Sequence, residues 1–169
     1  MSSQIRYQDG AADDATNSRQ YLTFVLAGEE YGVDILKVRE IRSWETPTLL
    51  PNTAEYILGV INLRGTVVPI VDLRRRFSLE CREFGKTTVI VVVRVKVGDK
   101  ERTVGLIVDA VSEVYSVRHE SVRAAPELGG AISTDYVTGL ATVDGKMIIL
   151  LDVDRLVDSG IMQNVAEGG

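Results

Sequence analysis

Two residue types on which much protein chemistry depends are nearly absent from this sequence. The 169 residues contain one histidine, His119, and one cysteine, Cys81. A zinc site built from cysteines and histidines, an HExxH motif and an intrachain disulfide each need more of these side chains than the chain has. A Ser–His or Cys–His nucleophile would have to use His119. These scarcities exclude several large classes of metalloprotein and disulfide-stabilised protein.

The sequence also lacks a basic balance and a long apolar run. Its formal net charge is −5, and its densest basic run is the three arginines at 74–76. A nucleic-acid-binding domain usually shows a basic face. The longest nearly apolar run, 88–93, is far shorter than the ~20 residues of a membrane helix, and residues 1–18 have no apolar core of a signal peptide. We expect a cytoplasmic protein that neither binds nucleic acid nor inserts into a membrane.

What the sequence does contain is a strong β signal. Valine and isoleucine are abundant, and turn residues recur at short intervals, which is typical of a mainly β protein. The pattern predicts strands at 20–26, 30–34, 38–43, 57–63, 66–72, 88–97, 102–107, 111–117, 136–143 and 146–152. Hairpin turns are expected at Gly28-Glu29, 62–65, Gly98-Asp99 and Asp144-Gly145. Short helices are expected after Asp72 and Asp152, each capped by its aspartate.

An internal repeat is the most informative feature. Residues 56–72 match 136–152 without a gap at a constant offset of 80, so that Asp72 falls on Asp152. A second stretch, 32–41, matches 105–114 at an offset of 73, and Pro51 falls on Pro126 at an offset of 75. The ordered set of matches indicates two copies of one β unit.

The repeat predicts a domain organisation. A unit of about five short strands is too small for a thick core, and closing it into a barrel removes its exposed sheet edges. We expect residues 1–19 to be a disordered tail, 20–159 a single domain and 160–169 a second tail. Within the domain, a first barrel at about 20–84 and a second at about 85–155 should pack through an apolar seam, with their ends crossing over.

The candidate catalytic groups have a simpler structural explanation. Asp34, Asp72, Asp109 and Asp152 all lie at ends of apolar strands, where two carboxylates can in principle converge as acid and base. Capping explains Asp72 and Asp152 together, because they are repeat equivalents at the start of expected helices. A carboxylate enzyme is therefore the minor alternative, and we expect no cofactor and no metal.

Surface recognition is the function that the remaining residues favour. Ile35, Val38 and Ile41 recur every three residues, which suggests a helical turn that runs into a strand with apolar groups on one side. They are either core residues or the floor of a seam that accepts a partner helix. The apolar loop that follows, which contains Trp44, is either a contact surface or a lid over the first barrel.

The most specific motif is GVINLRGTVVPIVDL at 59–73. With 30–41 and 133–140, it resembles the CheW family of bacterial chemotaxis over roughly residues 20–159. The resemblance implies two intertwined SH3-like five-stranded β-barrel subdomains with short helices. It also implies a non-catalytic adaptor that couples the histidine kinase CheA to the cytoplasmic tips of transmembrane chemoreceptors, with further copies of CheW in rings. A CheW-like regulatory domain of a CheV-type or kinase protein is the alternative within the family.

The resemblance also implies roles for individual residues. The positions implied for receptor binding are Leu22, Ile35, Val38, Glu40, Ile41, Arg64 and Val114. Those implied for kinase binding are Thr46, Leu49, Leu50, Pro51, Arg123 and Leu128. Structural turn positions are Gly59, Gly65, Gly139 and Gly145. The sequence around Arg64 allows two roles for its guanidinium. It can pair with a carboxylate, either of a partner or of Glu40, or it can cap the carbonyls of its own turn.

Overall fold

The computed structural model describes residues 17–51, 53–80, 83–124 and 134–158. Within these ranges the chain forms eleven strands, which are β1 Ser18–Leu26, β2 Glu29–Asp34, β3 Val38–Ser43, β4 Ile57–Leu63, β5 Thr66–Asp72, β6 Val89–Val97, β7 Lys100–Val108, β8 Ala110–Arg118, β9 Val122–Arg123, β10 Val137–Val143 and β11 Lys146–Leu151. Two short helices, α1 Leu73–Arg76 and α2 Val153–Asp158, follow β5 and β11. Single 3-10 turns form at Ile35–Lys37, His119–Ser121 and Thr134–Tyr136.

All ten predicted strands are present, with bounds that differ by at most two residues. The two-residue strand β9 was not predicted, because it has no periodic pattern of its own. The turn between β1 and β2 is Ala27-Gly28 rather than the expected Gly28-Glu29, with φ of 49° and 85°. A tight hairpin of this kind needs two adjacent left-handed residues, and Ala27 adopts that conformation beside the glycine.

The strands form two sheets that define two SH3-like subdomains. The first subdomain has the strand order β3-β6-β7-β5-β4, and the second has β8-β1-β2-β11-β10-β9. Replacing each strand of the first by its repeat equivalent gives the order of the first five strands in the second. Even the register shift at Gly59 in the β4–β5 pair recurs at Gly139 in the β10–β11 pair. The duplication is therefore a property of the three-dimensional fold.

The two copies exchange strands, which is the intertwining that the resemblance implied, so neither sheet lies wholly on one side of residue 84. β1 and β2 belong to the second subdomain, and β6 and β7 belong to the first. The chain changes sheets at Ile35–Lys37 and again at Asp109, which places β2 parallel to β11 and β7 parallel to β5. Each subdomain thus combines the first two strands of one copy with the last three of the other. The second subdomain has six strands rather than five, because β9 adds to β10.

The main core lies between the two sheets, as the predicted seam requires. Buried residues of both subdomains meet in one cluster, including Phe24 and Tyr31 from the second and Leu106 from the first. The rings of Phe24, Tyr31, Phe77 and Tyr136 stack in sequence, with centroid separations of 6.1, 5.9 and 5.5 Å. Burial raises the pKa of Tyr31 to about 12, with a smaller contribution from the charge of Glu29.

A cation joins the repeat-equivalent tyrosines at the edge of this core. The Arg76 guanidinium lies 5.2 Å from the ring centre of Tyr56 and 5.1 Å from that of Tyr136. Tyr56 precedes β4 and Tyr136 precedes β10, so Arg76 contacts the same place in both copies. Guanidinium groups over aromatic faces are favourable, which ties the two subdomains together beyond their apolar contact.

Candidate partner-binding surfaces

The predicted receptor-facing residues differ in their exposure to solvent. Ile35 and Val38 are half-buried against the main core, as expected for a turn that runs into a strand. Ile41 on β3 is 46% exposed, and Val114 on β8 is 39% exposed. Leu22 lies opposite Val114 in the β1–β8 pair but is itself buried, so it supports the surface without forming it. We call Ile35, Val38, Ile41 and Val114 the seam residues.

A chain of charges borders the seam residues on β3. Arg64 donates a hydrogen bond from Nη2 to Oε1 of Glu40 at 2.6 Å, and Arg42 reaches Oε2 of Glu40 at 3.3 Å. The hydrogen bond from Arg64 holds the pKa of Glu40 below its usual range, with a further contribution from Arg42. Arg42 also donates to Glu45 at 2.9 Å, and the carboxylates of Glu45 and then Glu40 raise the pKa of Arg42.

These contacts decide between the two roles considered for Arg64 within the chain. Its side chain reaches Glu40 on β3. The Arg64-Gly65 turn has φ of 51° and 89°, and it is closed by Asn62, whose Oδ1 accepts from the Gly65 amide at 2.8 Å. Arg64 remains largely exposed, so the pair with Glu40 is an accessible surface feature.

The expected kinase-facing loop crosses the middle of β4. Thr48 and Val60 exchange two backbone hydrogen bonds, each of 2.8 Å. Leu49, the next residue, is 78% exposed, whereas Leu50 is half-buried. Thr46 and Pro51 are exposed on either side. The loop therefore presents one large apolar side chain on a segment that the sheet holds in place.

Trp44 takes the lid role rather than the contact role. Its ring stacks on Phe84 with centroids 4.0 Å apart, and both pack on the cluster inside the first subdomain. The half-buried indole closes that end of the subdomain.

The second subdomain has a comparable crossing segment. β9, Val122–Arg123, pairs with β10 at Ala141 and Leu140, much as Thr48 pairs with Val60 in the first subdomain. Arg123 is exposed there. Leu128, the other residue expected at this contact, lies outside the described residues, as does Cys81.

The four glycines assigned to turns fall into two groups. Gly65 and Gly145 do lie in hairpin turns, with φ of 89° and 78°. Gly59 and Gly139 do not, because they lie inside β4 and β10. A Cβ on Gly59 would overlap the carbonyl oxygen of Thr48, and one on Gly139 would come within 2.8 Å of the carbonyl oxygen of Arg123. These two glycines let the crossing segments approach the strand, a role that sequence spacing alone does not show.

The strand-end aspartates have structural partners, as expected. Asp72 accepts from the Arg74 amide at 3.0 Å, Asp152 from the Arg155 amide at 3.1 Å, and Asp34 from the Leu36 amide at 2.9 Å. Asp109 accepts from the Ala27 amide at 2.9 Å. Caps and, for Asp109, a contact with the β1–β2 turn thus account for the aspartates that the enzyme alternative needed.

The sequence did not reveal that Arg74 is a buried cation. It lies in the densest basic run of the chain, yet its side chain is only 2% exposed. Its guanidinium donates to Asp72 from Nε and Nη2, both at 3.1 Å, and to Asp109 from Nη1 at 3.3 Å. The offset of two residues between Asp72 and Arg74 is too common a pattern to have signalled this pair.

Exposed apolar residues outside the expected surfaces were also missed. Leu36, Val67 and Met147 are exposed by 87%, 63% and 59%. Val67 and Met147 are repeat equivalents on the β4–β5 and β10–β11 hairpins, so the repeat was an available signal.

In the described ranges, no group of three or more His, Cys, Asp or Glu side chains is placed to hold a metal ion. None of the helices within the same ranges has the length and apolar character to cross a bilayer.

The comparisons with known proteins agree with the fold and the duplicated motif. A family model described as CheW-like domain matches residues 20–160. The chemotaxis protein CheW of Klebsiella aerogenes is 41% identical over 155 residues, which cover 90% of this chain and 91% of that protein. The chemotaxis protein CheW of Rhizobium meliloti is 37% identical over 150 residues, covering 88% and 94%.

A solved structure with a similar fold supports the same relationship. The crystal structure of the scaffolding protein TtCheW from Thermoanaerobacter tengcongensis superposes with a TM-score of 0.74 at 37% identity. The match covers 83% of this chain and 92% of that one. Fold, motif and near-complete coverage of these relatives lead to one conclusion: the chain belongs to the CheW family.

Proposed function

We propose that this chain is a non-catalytic adaptor of bacterial chemotaxis that couples the histidine kinase CheA to the cytoplasmic tips of transmembrane chemoreceptors. The observation that carries the proposal is the match to proteins named for chemotaxis over about nine-tenths of this chain. The described residues add support, because their strand-end carboxylates are engaged in caps and ion pairs while apolar side chains stand exposed. In this role the protein works in the cytoplasm, at the periphery of receptor arrays.

The receptor tip is proposed to bind at the seam residues. Ile41 and Val114 supply accessible apolar area, and Ile35 and Val38 form its half-buried margin. The exposed pair of Arg64 and Glu40 borders this surface and offers both signs of charge to a partner. An apolar floor with a charged edge suits the amphipathic face of a helix.

The kinase is proposed to bind at the crossing segments. In the first subdomain the contact is formed by Thr46, Leu49, Leu50 and Pro51, with Leu49 as its apolar anchor. In the second subdomain, Arg123 on β9 and Leu128 form a second contact. Two contacts on opposite copies allow one adaptor to bridge two partners, which also permits rings that include further copies of this chain.

The receptor surface is tested by Ile41→Asp, with Val67→Asp as the matched control. Both side chains are exposed valine or isoleucine on strands of the first subdomain, so both substitutions should leave the fold intact. We expect Ile41→Asp to abolish co-sedimentation with receptor-bearing membranes, and Val67→Asp to retain it. Unchanged co-sedimentation of a folded Ile41→Asp protein contradicts the receptor surface.

The kinase surface is tested by Leu49→Asp, with Met147→Asp as the control. Leu49 is the most exposed apolar residue of its loop, and Met147 is exposed elsewhere. We expect Leu49→Asp to weaken binding of CheA in a pull-down while binding to receptor membranes persists. Equal kinase binding by the two variants contradicts this assignment.

A further inference from the structure

A cavity of about 910 Å³ opens at one end of the second subdomain. Its apolar floor includes Val117, Leu151 and Val153, and the exposed side chain of Leu36 forms part of its wall. Charged side chains from β1, β2, the turn after β2 and α2 line the rim. The volume is in the range of sites that enclose a ligand or a large side chain, about 300–1,000 Å³.

The corresponding end of the first subdomain is filled by the chain itself. There, the stacked rings of Trp44 and Phe84 cover the apolar cluster. The Arg74 guanidinium lies 4.9 Å from the ring centre of Phe84 and is held by Asp72. Two aromatic rings and one guanidinium on a carboxylate therefore close this end.

The repeat shows which of these groups the second subdomain lacks. Trp44 corresponds to Val117, because the offset of 73 continues to Ser43 and Ser116 in the paired strands. Arg74 corresponds to Asp154 at the offset of 80. Asp72 corresponds to Asp152, so the carboxylate that holds the cation in the first subdomain is retained. Val117 and Asp154 both line the cavity, which occupies the space where the first subdomain holds its own aromatic and cationic groups.

The charges at the rim leave one carboxylate in excess. Among the lining residues, Arg19 pairs with Asp34 at 3.0 Å and Lys37 pairs with Asp154 at 2.9 Å. Asp152 is the third carboxylate of the lining. The Asp152 carboxylate lies 3.7 Å from the Arg155 guanidinium, whose side chain is 72% exposed and lies outside the lining. The cavity therefore favours one added positive charge near Asp152.

We propose that this open end of the second subdomain is a docking site for a partner polypeptide that inserts an aromatic side chain followed by an arginine. The aromatic ring occupies the apolar floor at the place that the Trp44–Phe84 pair fills in the first subdomain. The guanidinium reaches Asp152 at the place where Asp72 holds Arg74. The site is additional to the seam residues and the crossing segments, although Leu36 and Val122 connect it to both.

Nuclear magnetic resonance titration of the full-length, ¹⁵N-labelled chain tests the proposal with acetyl-Trp-Arg-amide as the probe. We expect saturable shifts of backbone amides that line the cavity. Acetyl-Trp-Glu-amide and acetyl-Ala-Arg-amide are the controls, because one reverses the charge and the other removes the ring. Both should bind more weakly, by about threefold or more, since a partly exposed ion pair or an aromatic contact contributes modestly.

Two variants locate the binding. Thr138→Trp places a ring at an exposed strand position of the cavity wall and should abolish the shifts. Asp152→Asn keeps an oxygen for the cap of α2 but removes the charge, so it should reduce the preference for the arginine probe over the glutamate probe to about unity. Met147→Ala, at an exposed residue outside the cavity, should bind as the parent does.

Three outcomes overturn the proposal. The first is absence of saturable shifts in the folded parent. The second is equal binding of all three probes, which indicates non-specific contact. The third is binding that appears only after residues 1–16 are removed, which indicates that the chain's own N-terminal residues, rather than a partner, occupy the site.

Discussion

The two subdomains have the same strand order but different ends. Both have hairpins with left-handed turns, at Arg64-Gly65 and Asp144-Gly145, and both have an aspartate that caps a short helix. In the first subdomain, however, the aspartate also holds a buried arginine beneath stacked aromatic rings. In the second, the described residues at the same end enclose a cavity. The comparison teaches that both copies keep the same strand order and turns. The end of the first subdomain is packed as core, whereas the equivalent end of the second subdomain is surface.

The strongest test of this difference compares Asp72→Ala with Asp152→Ala. Removing Asp72 leaves the buried Arg74 without the carboxylate that accepts two of its hydrogen bonds, which should cost about 3–5 kcal/mol. Removing Asp152 loses a helix cap on a more exposed site and should cost about 1 kcal/mol. Urea unfolding measures both values, and equal losses would mean that the two ends are energetically alike.

The crossing segments give a second comparison, between Gly59→Ala and Gly139→Ala. Gly59 has a φ of 151°, and an added Cβ would overlap the Thr48 backbone, so we expect a loss of about 3 kcal/mol. At Gly139 part of the clash is with a Val122 methyl group that can move, and the expected loss is about 1–2 kcal/mol. Thermal unfolding ranks the two variants. A greater loss at Gly139 would show that β9 is held more rigidly than the Thr48 segment.

A third comparison concerns the residues that stand at the two ends, Trp44 and His119. Trp44→Ala removes a half-buried ring stacked on Phe84, so we expect a loss of about 2 kcal/mol. His119 is exposed on a 3-10 turn, and His119→Ala should change stability by less than about 0.5 kcal/mol. Urea unfolding midpoints provide the measurement. A large loss from His119→Ala would show that the second end is also stabilised by its own side chains.

The smallest expected effect comes from comparing the tips of the β4–β5 and β10–β11 hairpins. Arg64→Ala and Asp144→Ala both place alanine at a left-handed position, so their backbone costs should match. Only Arg64→Ala removes the contact that lowers the pKa of Glu40, and that pKa should rise toward its usual range. Proton titration of the Glu40 side chain by nuclear magnetic resonance measures the change. An unchanged Glu40 pKa in Arg64→Ala would mean that Arg42 alone accounts for the shift.

The same pair makes a signed prediction for pH. A carboxyl whose pKa is lowered on folding stabilises the protein above its unfolded pKa, and that stabilisation disappears as the pH falls through the lowered folded pKa. The stability difference between the parent and Arg64→Ala should therefore be present at neutral pH and shrink in acid. A difference that is constant with pH would assign it to the turn backbone instead.

Local features of the fold were predictable because neighbouring residues determine them. Alternating apolar residues defined strands such as Ile57–Leu63, and glycine-containing turns such as Asp144-Gly145 defined hairpins. Aspartate before a helical turn defined the caps at Asp72 and Asp152. The repeat predicted that two similar units would share a seam, which the mixed cluster of buried residues confirms.

Features that join distant segments were less predictable. The exchange of strand pairs between the two copies depends on the direction in which the chain leaves Ile35–Lys37 and Asp109, and a repeat carries no record of which copy pairs with which. The burial of Leu22 follows from its neighbours across the sheets rather than from its own position in the pattern. The sequence pattern assigned Gly59 and Gly139 to turns. In the structure they lie inside β4 and β10, where the crossing segments pack directly against them.

The sequence by itself determined the β class, the duplication, the capped strand ends and the family. Each of these is set by residue types at short spacing or by motifs that recur along the chain. Only the tertiary structure decided that Arg74 is buried, that Arg64 pairs with Glu40, and that the described residues at one end of the second subdomain line a cavity. The physical reason is that burial and charge pairing depend on which distant side chains share a small volume, and strand exchange sets that sharing.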